Sequence, residues 1–323
     1  MSEETHILGI PSLDLNYFRS TDPVLKAMFV KQLGKAFEEY GFVAIKNHGI
    51  PQNLIDQMYR EAKSFFDLSE EEKKKYIVHG VGGQRGYTPF GAESAKGEDN
   101  KDLKEFWQIG QTLSNPLMIS PYGPNIWPTN NSEFKETGLT LYRELEKCAN
   151  LVLSAVARYL YLDDDYFKSR IKDGESIIRI IHYPPLKEDP KGSVRAASHE
   201  DINFITILVG AQGKGLEILT RKGEWLPVTA VKDHIIVNAA DMLQRLTNRK
   251  FISTTHRVVN PPETEWNKAR FSMPFFVHPR SDIDLTCLQS CIDDNNPKLF
   301  SDMTAYEYLT ERLQELGLIS IEQ

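Results

Sequence analysis

Residues 196–209 read Ala-Ala-Ser-His-Glu-Asp-Ile-Asn-Phe-Ile-Thr-Ile-Leu-Val. The stretch joins a polar step, His199-Glu200-Asp201, to the apolar run Asn203–Val209. Similar short runs stand on both sides: Ile177–Tyr183 before it, then Gly215–Leu219, Glu224–Val228, His234–Asn238, His256–Val259 and Arg270–Val277. Gly, Pro, Asp and Asn separate them. Many short strands at this spacing predict a barrel, sandwich or jelly roll. The β core is expected between about residues 176 and 280.

Upstream the texture is helical. Asp22-Pro23 reads as N-cap and first helical position. Leu25, Met28, Leu33, Ala36, Phe37 and Tyr40 follow near-helical spacing, and Gly41 ends the helix. Phe42–Lys46 reads as a strand. Pro51 opens a second helix with Leu54, Ile55, Met58, Ala62, Phe65 and Phe66 on one face. Ser69-Glu-Glu-Glu72 is a capping box, and the charges of Glu70–Lys75 are expected on a solvated face. Residues 80–100 are Gly-rich and read as a loop. A long helix is expected over Thr137–Tyr161, packed on the β core, and a last one over Thr304–Leu316.

Composition bounds the function. The 323 residues are 41% hydrophobic and 26% charged, the balance of a folded chain. A net charge of −7 argues against a nucleic-acid partner. The acidic start Met1-Ser2-Glu3-Glu4 shows no signal peptide, and no run of 18 apolar residues predicts a membrane span. Three cysteines, Cys148, Cys287 and Cys291, fit a reducing cytoplasm. Oligomeric state is not legible.

Two pairs carry the chemistry. Residues two apart on a strand share a face, so His199 and Asp201 are expected to converge while Glu200 points away. An imidazole and a carboxylate are two of the three ligands in the facial triad of non-haem Fe(II) oxygenases. A third must come from another strand: His256 and His234 both qualify by local pattern. His6, His48, His79 and His278 need no role beyond structure or surface. Arg270 and Ser272 are again two apart, and a guanidinium beside a hydroxyl makes a carboxylate clamp.

The ordered set of motifs resembles the 2-oxoglutarate and Fe(II)-dependent oxygenase superfamily, in its isopenicillin N synthase-like branch. The matching segments are His182-Tyr-Pro-Pro185, His199-Glu-Asp201, Gly215-Leu-Glu-Ile218, Trp225-Leu-Pro-Val228, residues 237–244, Thr255-His-Arg-Val-Val259 and Arg270-Phe-Ser272. The first third matches through Ile10-Pro-Ser-Leu-Asp14, Asn47-His-Gly-Ile-Pro51, Phe65-Phe-Asp-Leu-Ser69 and Asp102-Leu-Lys-Glu-Phe106. The resemblance implies an α+β fold: a double-stranded β-helix, or distorted jelly roll, flanked by helices, with a helical N-terminal region. The expected division is 1–115 for that region and 116–323 for the dioxygenase core with its long helix.

By the same resemblance His199, Asp201 and His256 are the iron ligands, and Arg270, Ser272 and Tyr183 hold 2-oxoglutarate. Position 181 is Ile where the family often has Asn. Three ligands on one face leave three octahedral positions for 2-oxoglutarate and O2. The implied reaction oxidises a C–H bond of a small metabolite by hydroxylation, desaturation or ring closure, with release of succinate and CO2. Three other readings are weaker: an Fe(II)/O2 oxidase that does not use 2-oxoglutarate, a non-catalytic binder on the same scaffold, and a zinc hydrolase. The substrate is expected to be a small anion held by Arg85, in the Gly-rich stretch, or by Arg195, four residues before His199.

Overall fold

In the computed structural model, residues 9–93, 101–113, 122–129, 131–210, 214–229, 231 and 233–315 are described. His6, the end of the Gly-rich stretch and Leu316 lie outside them. The chain runs β1 (Ser12–Asp14), α1 (Leu15–Arg19), α2 (Pro23–Glu39), β2 (Phe42–Lys46), α3 (Gln52–Phe66), α4 (Glu70–Lys74), β3 (Gly86–Thr88), β4 (Glu105–Gly110) and α5 (Ser132–Tyr159). It continues with α6 (Tyr166–Ile171), β5 (Ile177–Tyr183), β6 (Ala196–His199), β7 (Ile205–Val209), β8 (Leu216–Leu219), β9 (Trp225–Pro227) and β10 (His234–Ala239). Then come α7 (Asp241–Leu246), β11 (His256–Val258), β12 (Arg270–Val277) and α8 (Ala305–Glu315).

Local chemistry sets the helix ends. The Asp22 side chain accepts from the Val24 N–H at 2.8 Å, with Pro23 in the first turn. Gly41 takes φ +69°, and a Cβ there would lie 2.5 Å from the Ile252 carbonyl oxygen, so the turn into β2 requires glycine. Helix α5 starts before the expected Thr137, because the Asn131 side chain caps it through the Phe134 N–H at 3.0 Å. The Glu70–Lys75 segment is solvated as expected, with one exception. Lys73 is buried and its ammonium donates to Glu105 on β4 at 2.7 Å. Its i, i+3 and i+4 neighbours give no hint of a partner so far along the chain.

The strands form two sheets. The larger has the order β1-β2-β10-β7-β12-β5-β4-β3, and the smaller β6-β11-β8-β9. Among the described residues only the β1–β2 pair is parallel; the rest are antiparallel, as a distorted jelly roll demands. Phe42, Ala44 and Ile236 of the larger sheet pack with Leu216 and Ile218 of the smaller, closing one apolar layer between them. On the other side, Leu141, Leu145, Cys148, Val152 and Ala155 of α5 join a core shared with α2, α3 and the larger sheet. The Tyr142 ring meets Phe275 of β12 edge-on at 5.1 Å. Strands β1 to β4 all come from residues before 116 and lie in the same sheet as β5, β7, β10 and β12. All three cysteines are buried and unpaired. Among the described residues no helix is long and apolar enough to cross a membrane.

Candidate active site

His199 ends β6 and His256 opens β11, and the two are register partners in the smaller sheet. Asp201 lies beyond the end of β6, in the irregular connection to β7, so strand alternation is not what aims it. Its aim comes from two donors: the Thr206 hydroxyl at 2.7 Å and the Asn238 amide at 2.9 Å both bind Oδ2. That leaves Oδ1 facing His256 Nε2 at 3.8 Å and His199 Nε2 at 4.0 Å. Glu200 turns away, as expected, and takes a hydrogen bond from the Thr255 hydroxyl.

Each ring is fixed by its other nitrogen. His199 Nδ1 lies 2.8 Å from the Ala197 carbonyl and His256 Nδ1 3.1 Å from that of Thr254. Those nitrogens therefore carry the protons, and both Nε2 lone pairs face the centre. Burial, with His256 beside it, pushes His199 down to about 4 and keeps it neutral. Burial opposes ionisation of Asp201, yet the two imidazoles, Thr206 and Asn238 hold its carboxyl below the usual range. One ligand atom from each residue lies within 4.8 Å of the others, and the three can hold one metal ion. Two imidazoles and one carboxylate on one face suit Fe(II).

A narrow cavity opens beside this centre. Alternate residues of β12, namely Arg270, Ser272, Pro274 and Phe276, line it, as do Ile181 and Tyr183 of β5. Arg270 is register partner of Tyr183, and its guanidinium carbon sits 5.0 Å from that ring. Arg270 is 4% exposed, and among the described residues its Nε and Nη1 have no hydrogen-bond partner. A buried guanidinium with two orphaned donors wants an anion. The residues present thus fit the distal carboxylate of 2-oxoglutarate beside an Fe(II) site.

A second cavity of about 400 Å³ adjoins the first across His199, Asp201, Lys104, Arg179 and Phe276. Its walls include Glu93, Asp102, His278 and, from α8, Leu309, Arg312 and Leu313. Glu93 Oε2 accepts from Arg179 at 3.1 Å and pairs with Lys104 at 3.2 Å, and Asp102 pairs with Lys104 at 2.8 Å. Burial opposes ionisation of Glu93, but Arg179 and Lys104 hold it below the usual carboxylate range.

The sequence-based choice of arginines for the substrate is not what the cavity presents. Arg85 is buried, donates to the Gln84 carbonyl at 2.8 Å and sits 5.7 Å from the Tyr122 ring. Neither it nor Arg195 is among the residues lining the larger cavity. Arg195 is buried beside Tyr183, its guanidinium carbon 5.8 Å from the ring. His234 stands at the start of β10, 3.2 Å from the Ser12 hydroxyl and away from the centre. Arg179, Glu93 and Lys104 escaped the sequence reading. A charged residue in the middle of Ile177-Ile-Arg-Ile-Ile was the available signal for Arg179, since it shares a strand face with Ile181 and Tyr183.

Comparison with known proteins agrees with this geometry. Residues 174–279 match the profile of the 2OG-Fe(II) oxygenase superfamily, and residues 10–130 that of the non-haem dioxygenase in morphine synthesis N-terminal region. The chain is 32% identical to the 2-oxoglutarate-Fe(II) type oxidoreductase hxnY of Emericella nidulans, over 87% of this chain and 82% of that one. A 2OG-Fe(II) oxygenase family protein from Caulobacter crescentus is 41% identical and superposes with a TM-score of 0.86 over 95% of this chain and 99% of its own. A full-length Neurospora crassa protein, solved in complex with alpha-KG and thymine, is 27% identical with a TM-score of 0.84 over 94% of this chain and 96% of its own.

Proposed function

The chain belongs to the 2OG-Fe(II) oxygenase superfamily, and from that premise we propose that His199, Asp201 and His256 hold its Fe(II) while Arg270, Ser272 and Tyr183 seat 2-oxoglutarate. The protein is a 2-oxoglutarate-dependent dioxygenase that acts on a small metabolite. The observation that carries the residue assignment is the pairing of two features: Nε2, Oδ1 and Nε2 converging on one point, and the orphaned Arg270 donors in the adjoining cavity. The buried, unpaired cysteines support a reducing, cytoplasmic setting.

Bound Fe(II), with O2 and 2-oxoglutarate, supplies an oxidant strong enough to break a C–H bond. For hydroxylation the balance is R–H + O2 + 2-oxoglutarate giving R–OH + succinate + CO2. The rest is the protein's work. Arg270 would hold the distal carboxylate through a charge-assisted fork, which would fix the orientation of the cosubstrate in the cavity. Ser272 adds a hydroxyl on the same strand face. Ile181, in place of an amide, makes that wall apolar. Phe276 and the α8 leucines limit water near the reacting centre. Thr206 and Asn238 keep Oδ2 engaged, so only Oδ1 of Asp201 is offered to the ion.

Anaerobic titration of the Fe(II)-loaded protein with 2-oxoglutarate tests the assignment. Arg270→Ala is expected to lose about 2–4 kcal/mol, roughly 30- to 1,000-fold in affinity, while still binding iron. Lysine at 270 restores only part of this, since it lacks the fork. Unchanged affinity in Arg270→Ala overturns the cosubstrate assignment.

A further inference from the structure

The wall of the larger cavity is a compensated ion cluster. Arg179 donates from Nη1 to Glu93 Oε2 at 3.1 Å and from Nε to Gln108 Oε1 at 3.1 Å. Its guanidinium carbon lies 4.2 Å from the Phe106 ring centre, which fixes the plane. Glu93 spends Oε2 on both Arg179 and Lys104. Among the described residues Arg179 Nη2 and Glu93 Oε1 make no hydrogen bond. Lys104 is further neutralised by Asp102 at 2.8 Å. Two cations and two carboxylates therefore cancel beside the proposed iron site. The other charged side chains of the wall are engaged too, Arg312 with Glu315 at 2.7 Å and Glu200 with the Thr255 hydroxyl, so an anionic guest meets Glu93 and Glu200, and a cationic guest meets Lys104, Arg179 and Arg312, each already occupied.

What remains is a donor, Arg179 Nη2, and an acceptor, Glu93 Oε1, on two hydrogen-bonded side chains of the cavity wall. We propose that Arg179 and Glu93 are the specificity-determining pair, and that the substrate is an uncharged ring amide, a lactam or cyclic imide, whose C=O accepts from Arg179 and whose N–H donates to Glu93. The ring matters. An acyclic secondary amide is trans and puts C=O and N–H on opposite edges, whereas a small ring forces them onto the same edge. A cavity of about 400 Å³ suits a small heterocycle. This inference rests on the dioxygenase reading and names the substrate class of that same site.

The test uses the purified Fe(II)-loaded enzyme and follows CO2 release from 2-oxoglutarate with and without probes. The ring amides are 2-piperidone, glutarimide and uracil; the controls are 5-aminovalerate and glutaramate, the ring-opened acids of the first two. Ring amides are expected to stimulate release at least about ten-fold more than the acids. Glu93→Gln leaves the two cations less neutralised, so the ratio of amide to acid stimulation is expected to fall about ten-fold or more. Arg179→Lys lowers the same ratio by removing the fork, and serves if Glu93→Gln does not fold. Stimulation by the acids, by neither class, or an unchanged ratio in folded variants overturns the inference. Basal, probe-free CO2 release separates the two levels. If it is present without ring-amide stimulation, only the substrate class fails; if it is absent together with 2-oxoglutarate binding, the dioxygenase reading fails.

Discussion

Asp201 divides its oxygens, giving Oδ2 to Thr206 and Asn238 and leaving Oδ1 for a metal. Partners that orient a ligand typically contribute 10- to 100-fold in metal affinity. Asn238→Ala is therefore expected to weaken Fe(II) binding by about that factor in a titration under nitrogen. Asp201→Ala should abolish tight binding and His234→Ala should leave it intact; equal losses in both would mean the third ligand is misassigned. His199 and Asp201 were legible because they are neighbours in sequence. Thr206 and Asn238 were not: one sits on β7 and the other on β10, and only sheet pairing brings them to one carboxylate. The expectation that His199 and Asp201 share a strand face reached the right convergence for a reason the structure replaces, since the chain leaves β6 at His199.

The buried end of β4 is tied to α4 and β3 by one side chain. Glu105 accepts from Lys73 at 2.7 Å, from the Tyr87 hydroxyl at 2.5 Å and from His182 Nδ1 at 2.8 Å. His182 is stacked against Phe271 at 4.7 Å and Phe66 at 5.2 Å, so the histidine of the His-Tyr-Pro-Pro motif is structural. Removing one partner of a buried ion pair strands the others, at a cost of about 3–5 kcal/mol. Glu105→Ala is expected to lose that much in urea unfolding, while Lys74→Ala, whose pair with Glu70 is exposed, stays within about 0.5 kcal/mol. A small loss in Glu105→Ala would show that water repairs the network. Helices α2, α3 and α8 and most strands were readable from period and caps. Burial of Lys73 was not, because its partner lies 32 residues away.

The whole molecule is one sheet system completed by its first third. Strand β2 covers β10, and β4 covers β5, so cutting the chain at 115/116 bares two edges of the larger sheet. Residues 116–323 expressed alone are expected to be insoluble or to lack the native near-UV circular dichroism; a soluble fragment that binds 2-oxoglutarate would show that the edges tolerate exposure. The jelly roll, and the grouping of His199, Asp201 and His256, were legible because ordered motifs span nearly the whole chain. The larger cavity was not, because Glu93, Lys104, Arg179 and α8 meet only through tertiary packing. The most direct measurement admits air to the anaerobic Fe(II)–2-oxoglutarate complex and counts succinate and CO2 per iron, in the wild type and in Asp201→Ala. Expected are equal amounts of succinate and CO2 from the wild type, dependent on O2, and none above background from Asp201→Ala. Equal succinate from both proteins, or succinate without O2, would contradict an oxidation centred on His199, Asp201 and His256.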